Sequence, residues 1–362
     1  MNQPRNSHPY HFHDAVMAQP ALLERVFSAA RPAIERAAVA AATRKRIVFV
    51  GIGTSLHAAQ VAEHFLRHLT AGRADTRAEQ SFEFVRYPLA LSREDAVVVI
   101  THTGTTSYSV ESLRAARKAG ALTVAITGEG CGEAMREADH VITTCEQEVC
   151  FAYTKSYSTA LAGLALFAIH LAERRGANVA APAAELAQVP EKMRQALATE
   201  ARVREIAKQV AARERLVFFG AGPNWATALE GALKVKEASY VAADASENEQ
   251  ILHGPFSELD SRMALVALPA GGAADERART VLRAAAEVGA LRVAFTVPAA
   301  NRDLAAEHIV EVPAVEEWLS PLILLVPVQW LTYFVALERR INPDTGRQDQ
   351  APHARAHALY KL

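Results

Sequence analysis

The sequence predicts an α/β protein built from two tandem copies of one architecture, each a mostly parallel sheet flanked by helices in three layers. Three observations carry this. Apolar strand-like runs alternate with helical stretches, the arrangement that builds a parallel sheet covered on both faces. The strand and turn Arg46-Ile-Val-Phe-Val-Gly-Ile-Gly53 returns as Arg215-Leu-Val-Phe-Phe-Gly-Ala-Gly222, 169 positions later. The same interval carries Leu122, Val124, Ala125 and Thr127 onto Leu291, Val293, Ala294 and Thr296, so two separate strands agree on one repeat length.

Taken in order, residues 13–42 place Val16, Leu22, Leu23, Val26, Ile34 and Val39 among charges, which predicts a helical segment over 1–45. Residues 46–51 read as a buried strand ending in a glycine turn, and 55–69 as a helix. Strands follow at 96–101, 122–127 and 140–143, separated by helices at 107–118 and 131–137, within a first domain of 46–175. The alanine-rich, charged stretch that follows reads as a helical linker over 176–214, with Pro182 and Pro190 marking breaks. A second domain is expected over 215–340 and a tail over 341–362.

With 362 residues, half of them hydrophobic, the chain can supply two domains with their own cores. A formal net charge of −1 leaves no excess of either sign to hold a nucleic acid or a membrane surface, and neither is an expected partner. Cys131, Cys145 and Cys150 are too few for a disulfide framework and form no CxxC pair, so they are expected to be reduced and buried. The amino-terminal residues lack the apolar core of a secretory signal. The most apolar stretch, 319–337, is interrupted by Pro321, Pro327, Gln329 and Thr332, so no membrane span is expected and the cytoplasm is the expected compartment. His8, His11 and His13 are expected to be solvent-exposed and to have no role.

One fold hosts many chemistries, so function is sought where the copies differ. After strand 96–101 the first copy has Thr101-His-Thr-Gly-Thr-Thr-Ser107 leading into a helix, where the second has Pro269-Ala-Gly-Gly-Ala273. A strand end running into a helix N-terminus offers free N–H groups and the positive end of the helix dipole, and hydroxyls complete the hydrogen bonds to a phosphate. Gly53-Thr54-Ser55 is a second such turn, and in a parallel sheet both open on the carboxyl edge, where ligands bind. The plain alternative is that these hydroxyls cap helices. The glycine pattern matches neither the dinucleotide nor the Walker fingerprint.

The second copy has its own polar constellation, Glu230-Gly-Ala-Leu-Lys234-Val-Lys-Glu237, followed by Glu247-Asn-Glu-Gln-Ile-Leu-His253-Gly-Pro255. On a helix Glu230, Lys234 and Glu237 share one face. Spacing alone leaves two readings open, an acid–base group or a salt-bridged helix face with a histidine at a turn.

These stretches, with Thr154-Lys155 and Val315-Glu-Glu-Trp-Leu-Ser-Pro321, resemble the double sugar-isomerase (SIS) family and, within it, the isomerase part of glucosamine-6-phosphate synthase, over about 45–345. The resemblance implies two tandem SIS domains of flavodoxin-like or Rossmann-like build. It implies that Thr54, Ser55, Thr101, Thr103 and Thr106 hold a sugar phosphate and that Gly53, His102, Gly104 and Lys155 line the same pocket. It further implies that Glu237 moves a proton between C1 and C2, that His253 assists ring opening, that Lys234 is a further active-site residue, and that the 341–362 tail covers the site of a homodimer. Such chemistry asks for a buried carboxylate and an imidazole near neutrality, and needs no metal or other cofactor.

Three departures shape the functional expectation. Asn2 stands where the synthase has a nucleophilic cysteine, and no glutaminase domain is expected ahead of the repeat, so amination driven by glutamine is not expected of this chain. His102 and Thr105 replace the glutamine and glutamate usual in the family's phosphate loop. The tail lacks a lysine at the place of the family's Schiff-base lysine, Lys361 being out of register. A substrate that brings its own nitrogen fits this set: an amino-sugar or ketosamine 6-phosphate, isomerised with C–N bond formation or cleavage in the manner of a deaminase or deglycase. The competing expectation is a regulator that senses a phosphosugar without turning it over.

Overall fold

In the computed structural model, which describes residues 5–360, the helices His11–Arg25 (α1) and Arg31–Ala42 (α2) are joined by a π-helical turn at Val26–Ala30. The first sheet comprises Arg46–Gly51 (β1), Asp75–Gln80 (β2), Asp95–Ile100 (β3), Leu122–Thr127 (β4) and His140–Thr143 (β5). Its helices are Thr54–Leu69 (α3), Ser81–Arg86 (α4), Ser107–Lys118 (α5) and Lys155–Arg174 (α6). Ala180–Leu186 (α7), Val189–Leu197 (α8) and Glu200–Val210 (α9) follow. The second sheet comprises Arg215–Gly220 (β6), Ala242–Glu247 (β7), Met263–Ala267 (β8), Leu291–Thr296 (β9) and His308–Glu311 (β10). Pro223–Ser239 (α10), Asp275–Glu287 (α11), Ser320–Glu338 (α12) and Ala351–His357 (α13) complete the chain.

Both sheets are parallel and wound alike, in the orders β2-β1-β3-β4-β5 and β10-β9-β8-β6-β7. The central strands β1, β3, β4, β6, β8 and β9 are apolar runs buried on both faces, as strands covered by helices on two sides must be. The edge strands β2 and β7 are polar and were not foreseen; Asp75-Thr-Arg-Ala-Glu-Gln80 and Ala242-Ala-Asp-Ala-Ser-Glu247 carry no apolar run, because an edge strand buries little.

By contacts the chain forms two units. One comprises 18–148, 155–190 and 347–360, and the other 5–17, 149–154 and 191–346. The first is built on Val48, Val50, Val97, Val99, Leu113 and Met135, and the second on Val217, Phe219, Leu265, Val281 and Leu282. Pro182 and Pro190 mark breaks as expected: the helical segment is interrupted at 175–179 and 187–188, and each proline lies in the first turn of the helix that follows, α7 and α8, where a missing N–H costs nothing. Cys145 and Cys150 are buried as expected, but Cys131 is only half-buried.

Within the second unit one expectation stands on a different ground and another is corrected in part. Residues 317–338 form a helix long and apolar enough to cross a membrane by length and composition, running straight through Pro327; its apolar window is wholly buried as a core helix of the unit. Of the amino-terminal histidines His8 is exposed as expected and His11 and His13 are half-buried, and all three stand in segments that make contacts. His13 packs on Trp330 and Tyr333 with Nε2 3.0 Å from Glu200, His8 Nδ1 meets the Tyr333 hydroxyl at 2.7 Å, and the His11 N–H donates to Asp344 at 2.9 Å. They pack because Phe12, fully buried beside them, stacks on Tyr333 and draws the segment onto α12.

Candidate active site

Both hydroxyl-bearing loops leave the carboxyl ends of neighbouring strands, β1 and β3, where the strand order reverses. Open parallel sheets bind ligands at that switch point. The first loop depends on glycine: a Cβ on Gly51 would lie 2.3 Å from the Ser55 backbone, and Gly53 holds φ 57 at the start of α3. Thr54 and Ser55 are thereby set in the first turn of α3, at the positive end of its dipole.

In the second loop Thr101 is buried and its hydroxyl accepts the Gly104 N–H at 3.3 Å. Thr103 Oγ1 accepts both the N–H (3.3 Å) and the hydroxyl (3.0 Å) of Thr105. A hydroxyl has two lone pairs and one proton, so what Thr103 still has to offer is a donor, the group a phosphate oxygen needs. Thr106 stands at the N-cap of α5 yet makes no side-chain capping bond, so its hydroxyl is not spent on the helix end. Gly104 holds φ 69, and a Cβ there would meet the Gly132 amide nitrogen at 2.9 Å.

His102 fastens this loop from behind. Its Nε2 accepts the Glu148 N–H at 3.2 Å, the Gln147 amide donates to its carbonyl at 3.2 Å, and Gly128 lies so close that a Cβ there would be 2.5 Å from Cε1. Burial pushes the His102 pKa down to about 4, with the Lys155 ammonium adding in the same direction, so the ring is neutral. Lys155 opens α6 with Nζ 2.5 Å from Glu146, and Glu148 Oε1 accepts the Ser156 N–H at 2.6 Å. Residues 146–148 therefore tie the loop to the start of α6. The sequence reading passed over them, although the acidic run Glu146-Gln-Glu148 shortly before Thr154-Lys155 was a signal.

In the second unit the predicted helix face forms on α10. Lys234 Nζ lies 2.5 Å from Glu237 Oε2 and 3.5 Å from Glu230 Oε1, with side-chain exposures of 2% for Lys234, 1% for Glu230 and 23% for Glu237. A buried ammonium needs such compensation. Glu237 is the most open of the three, and so the one a ligand can reach. His253 lies elsewhere, after the short turn Gln250–Leu252 and before Gly254 with φ 121; its side chain is 66% exposed and Nε2 is 3.0 Å from Glu249 Oε1. The structure thus brings Lys234 and Glu237 together and sets His253 against Glu249. The hydroxyl loops belong to one unit, and α10 with His253 to the other. Asn2 and Lys361 lie outside the described residues.

Two parallel sheets of one winding order, one with hydroxyl-bearing loops at its switch point, define a tandem, doubly wound α/β architecture. The family model described as the SIS domain matches residues 42–170 and 209–339, and the chain belongs to the SIS-domain family. It is 31% identical over 311 residues to the glutamine–fructose-6-phosphate aminotransferase [isomerizing] of Pseudomonas putida, covering 84% of this chain and 50% of that one. The chain therefore spans about half the length of the curated relatives it matches. In fold it is similar to the C-terminal domain of glucosamine-fructose-6-phosphate aminotransferase from Francisella tularensis, with TM-score 0.85, 22% identity, 93% of this chain and 99% of that one. It is also similar to glucosamine-6-phosphate deaminase from Thermotoga maritima, with TM-score 0.75, 20% identity, 92% of this chain and 97% of that one.

Proposed function

We propose that the protein is a sugar-phosphate enzyme that isomerises an amino-sugar 6-phosphate or a ketosamine 6-phosphate with cleavage of its C–N bond, as a deaminase or deglycase. The observation that carries the reading is the pairing of a partly open carboxylate, Glu237, with a buried lysine, Lys234, in a family of sugar-phosphate isomerases. A pure binder has no use for a carboxylate held ready in this way. The unspent hydroxyls of Thr103 and Thr106 support a phosphate in the first copy. The relatives' names point to the same class of compounds: an aminotransferase that isomerises and works with fructose 6-phosphate, and a deaminase of glucosamine 6-phosphate.

In this reading the cradle of Thr54, Ser55, Thr101, Thr103 and Thr106 binds the phosphate while His253 assists ring opening. With a 2-amino aldose, Glu237 removes the C2 proton to give an enolamine and returns it at C1, leaving an iminium at C2. Water adds to that carbon and ammonia leaves, giving the ketose phosphate. With a 1-amino ketose the proton travels the other way, the iminium forms at C1, and hydrolysis releases the amine and an aldose phosphate. The substrate's own nitrogen supplies the iminium, so no protein Schiff base is required. A homodimer in the cytoplasm is the assembly and compartment that go with this reading.

The test is a mass-spectrometric time course with hexosamine 6-phosphates, fructosamine 6-phosphates and, with ammonia, fructose 6-phosphate. One of them should be converted, and Glu237→Gln should abolish conversion while leaving binding of the same compound within a few-fold. Conversion by Glu237→Gln at the wild-type rate would remove Glu237 from the mechanism. Thermal protection by one compound without any turnover would establish a sensor in place of an enzyme.

A further inference from the structure

The hydroxyl loop after β3 has no cation of its own. Residues 101–107 offer hydroxyls, amides and the one imidazole of His102, which is neutral. A phosphate dianion held there gains from an ammonium beside it, because a hydrogen bond between charged groups is stronger than one between neutral groups. The structure brings one to the loop. Lys155 opens α6, the next residue, Ser156, donates its N–H to Glu148 Oε1 at 2.6 Å, and the Glu148 N–H in turn donates to His102 Nε2 at 3.2 Å. His102 registers both charges of this segment: beyond the effect of burial, the Lys155 ammonium lowers its pKa and the Glu146 carboxylate opposes that.

That ammonium is already engaged. Lys155 Nζ lies 2.5 Å from Glu146 Oε1, with the lysine side chain 12% exposed and the glutamate 48%. The other oxygen of the same carboxylate, Oε2, is 3.9 Å from Nη1 of Arg25 at the end of α1, whose Nη2 bonds Glu129. Burial would raise the Glu146 carboxyl, but the bond to Lys155 and the charges of Lys155 and Arg25 outweigh it and hold the group below its ordinary range, so it is an anion at neutral pH. Glu146 therefore stands between two cations, and can let go of the lysine without losing a counterion.

We infer that Glu146 competes with the ligand's phosphate for Lys155 and so sets the affinity of the hydroxyl loop: an incoming phosphate takes the ammonium, and the carboxylate passes to Arg25. The inference rests on the phosphate reading of that loop, and the test separates the two. Inorganic phosphate is titrated calorimetrically into the full chain at low salt and at high salt, for wild type, Glu146→Gln, Lys155→Met and the double variant. Glu146→Gln should bind phosphate roughly three- to tenfold more tightly than wild type at low salt, the scale of removing one negative charge near a dianion. The gain should largely vanish at about 1 M salt, where the Debye length falls to about 3 Å, which a merely structural effect would not do. Lys155→Met should weaken binding, and in that background, with Glu146 against Arg25, the glutamine substitution should change affinity by less than about twofold. Unchanged or weaker binding by Glu146→Gln overturns the inference, and so does an equal gain with and without Lys155. Absence of phosphate binding in all four forms overturns the phosphate reading of the loop, and the inference falls with it.

Discussion

At the scale of single residues, His102 shows how one side chain couples the loop after β3 to the acidity of the medium. Its pKa is pushed down to about 4 in the fold from 6.5 when unfolded, chiefly by burial. The unfolded chain therefore binds the proton more readily, and the stability present above pH 6.5 is lost progressively as the pH falls towards 4, by about 1.4 kcal/mol per unit from this ring. His102→Gln, the residue usual in the family, should remove that contribution. Urea denaturation at pH 7 and pH 4.5 should show wild type losing roughly 2 kcal/mol more than the variant between the two. An equal loss would mean that the Glu148 contact does not hold the ring neutral. Nothing in the residue order betrays this role, because Glu148 reaches His102 only through the packing of the loop before α6.

At the scale of elements, α10 carries the Glu230, Lys234 and Glu237 cluster on one side and meets β6 and α12 on another. Gly231 makes that approach possible: a Cβ there would be 2.9 Å from the Phe218 ring and 3.0 Å from Val328 Cγ1. On an exposed helix, alanine in place of glycine stabilises by about 1 kcal/mol. Here overpacking costs about 1–3 kcal/mol, so Gly231→Ala should lower stability on balance and reduce the melting temperature by a few degrees. A higher melting temperature would show that the ring and Val328 can yield. The same elements explain what could be read from the chain. Central strands announce themselves as apolar runs, and the i, i+4 and i, i+3 spacings set Glu230, Lys234 and Glu237 on one face, as found. The edge strands β2 and β7 are as long as the central ones but polar, and escape any apolar pattern. The meeting of Glu317 with Gly272 joins a turn to a distant loop and leaves no local signal.

At the scale of the whole molecule, the repeat shows two copies of a sheet but cannot say where flanking segments pack, since that depends on which apolar side chain finds which surface. Residues 5–17 belong to the unit that carries α10. Phe12 is fully buried with its ring centroid 5.7 Å from that of Tyr333, and the N–H groups of His11 and Phe12 each donate to the Asp344 carboxylate at 2.9 Å. Asn342 donates to the Arg5 carbonyl at 2.8 Å, so the end of this unit is tied to its beginning. Removing the Phe12 ring should cost about 3–5 kcal/mol by the loss of burial and the cavity left. The loss should fall on 191–346 first, because the other unit is built on its own core. Hydrogen exchange of Phe12→Ala should therefore speed up in β6, α10 and α12 by roughly two to three orders of magnitude, while β1, β3 and β4 exchange as in wild type. Equal acceleration in both sheets would show that the chain opens as one cooperative body. Protection unchanged in 191–346 would show that the amino-terminal residues rest on the second unit without supporting it.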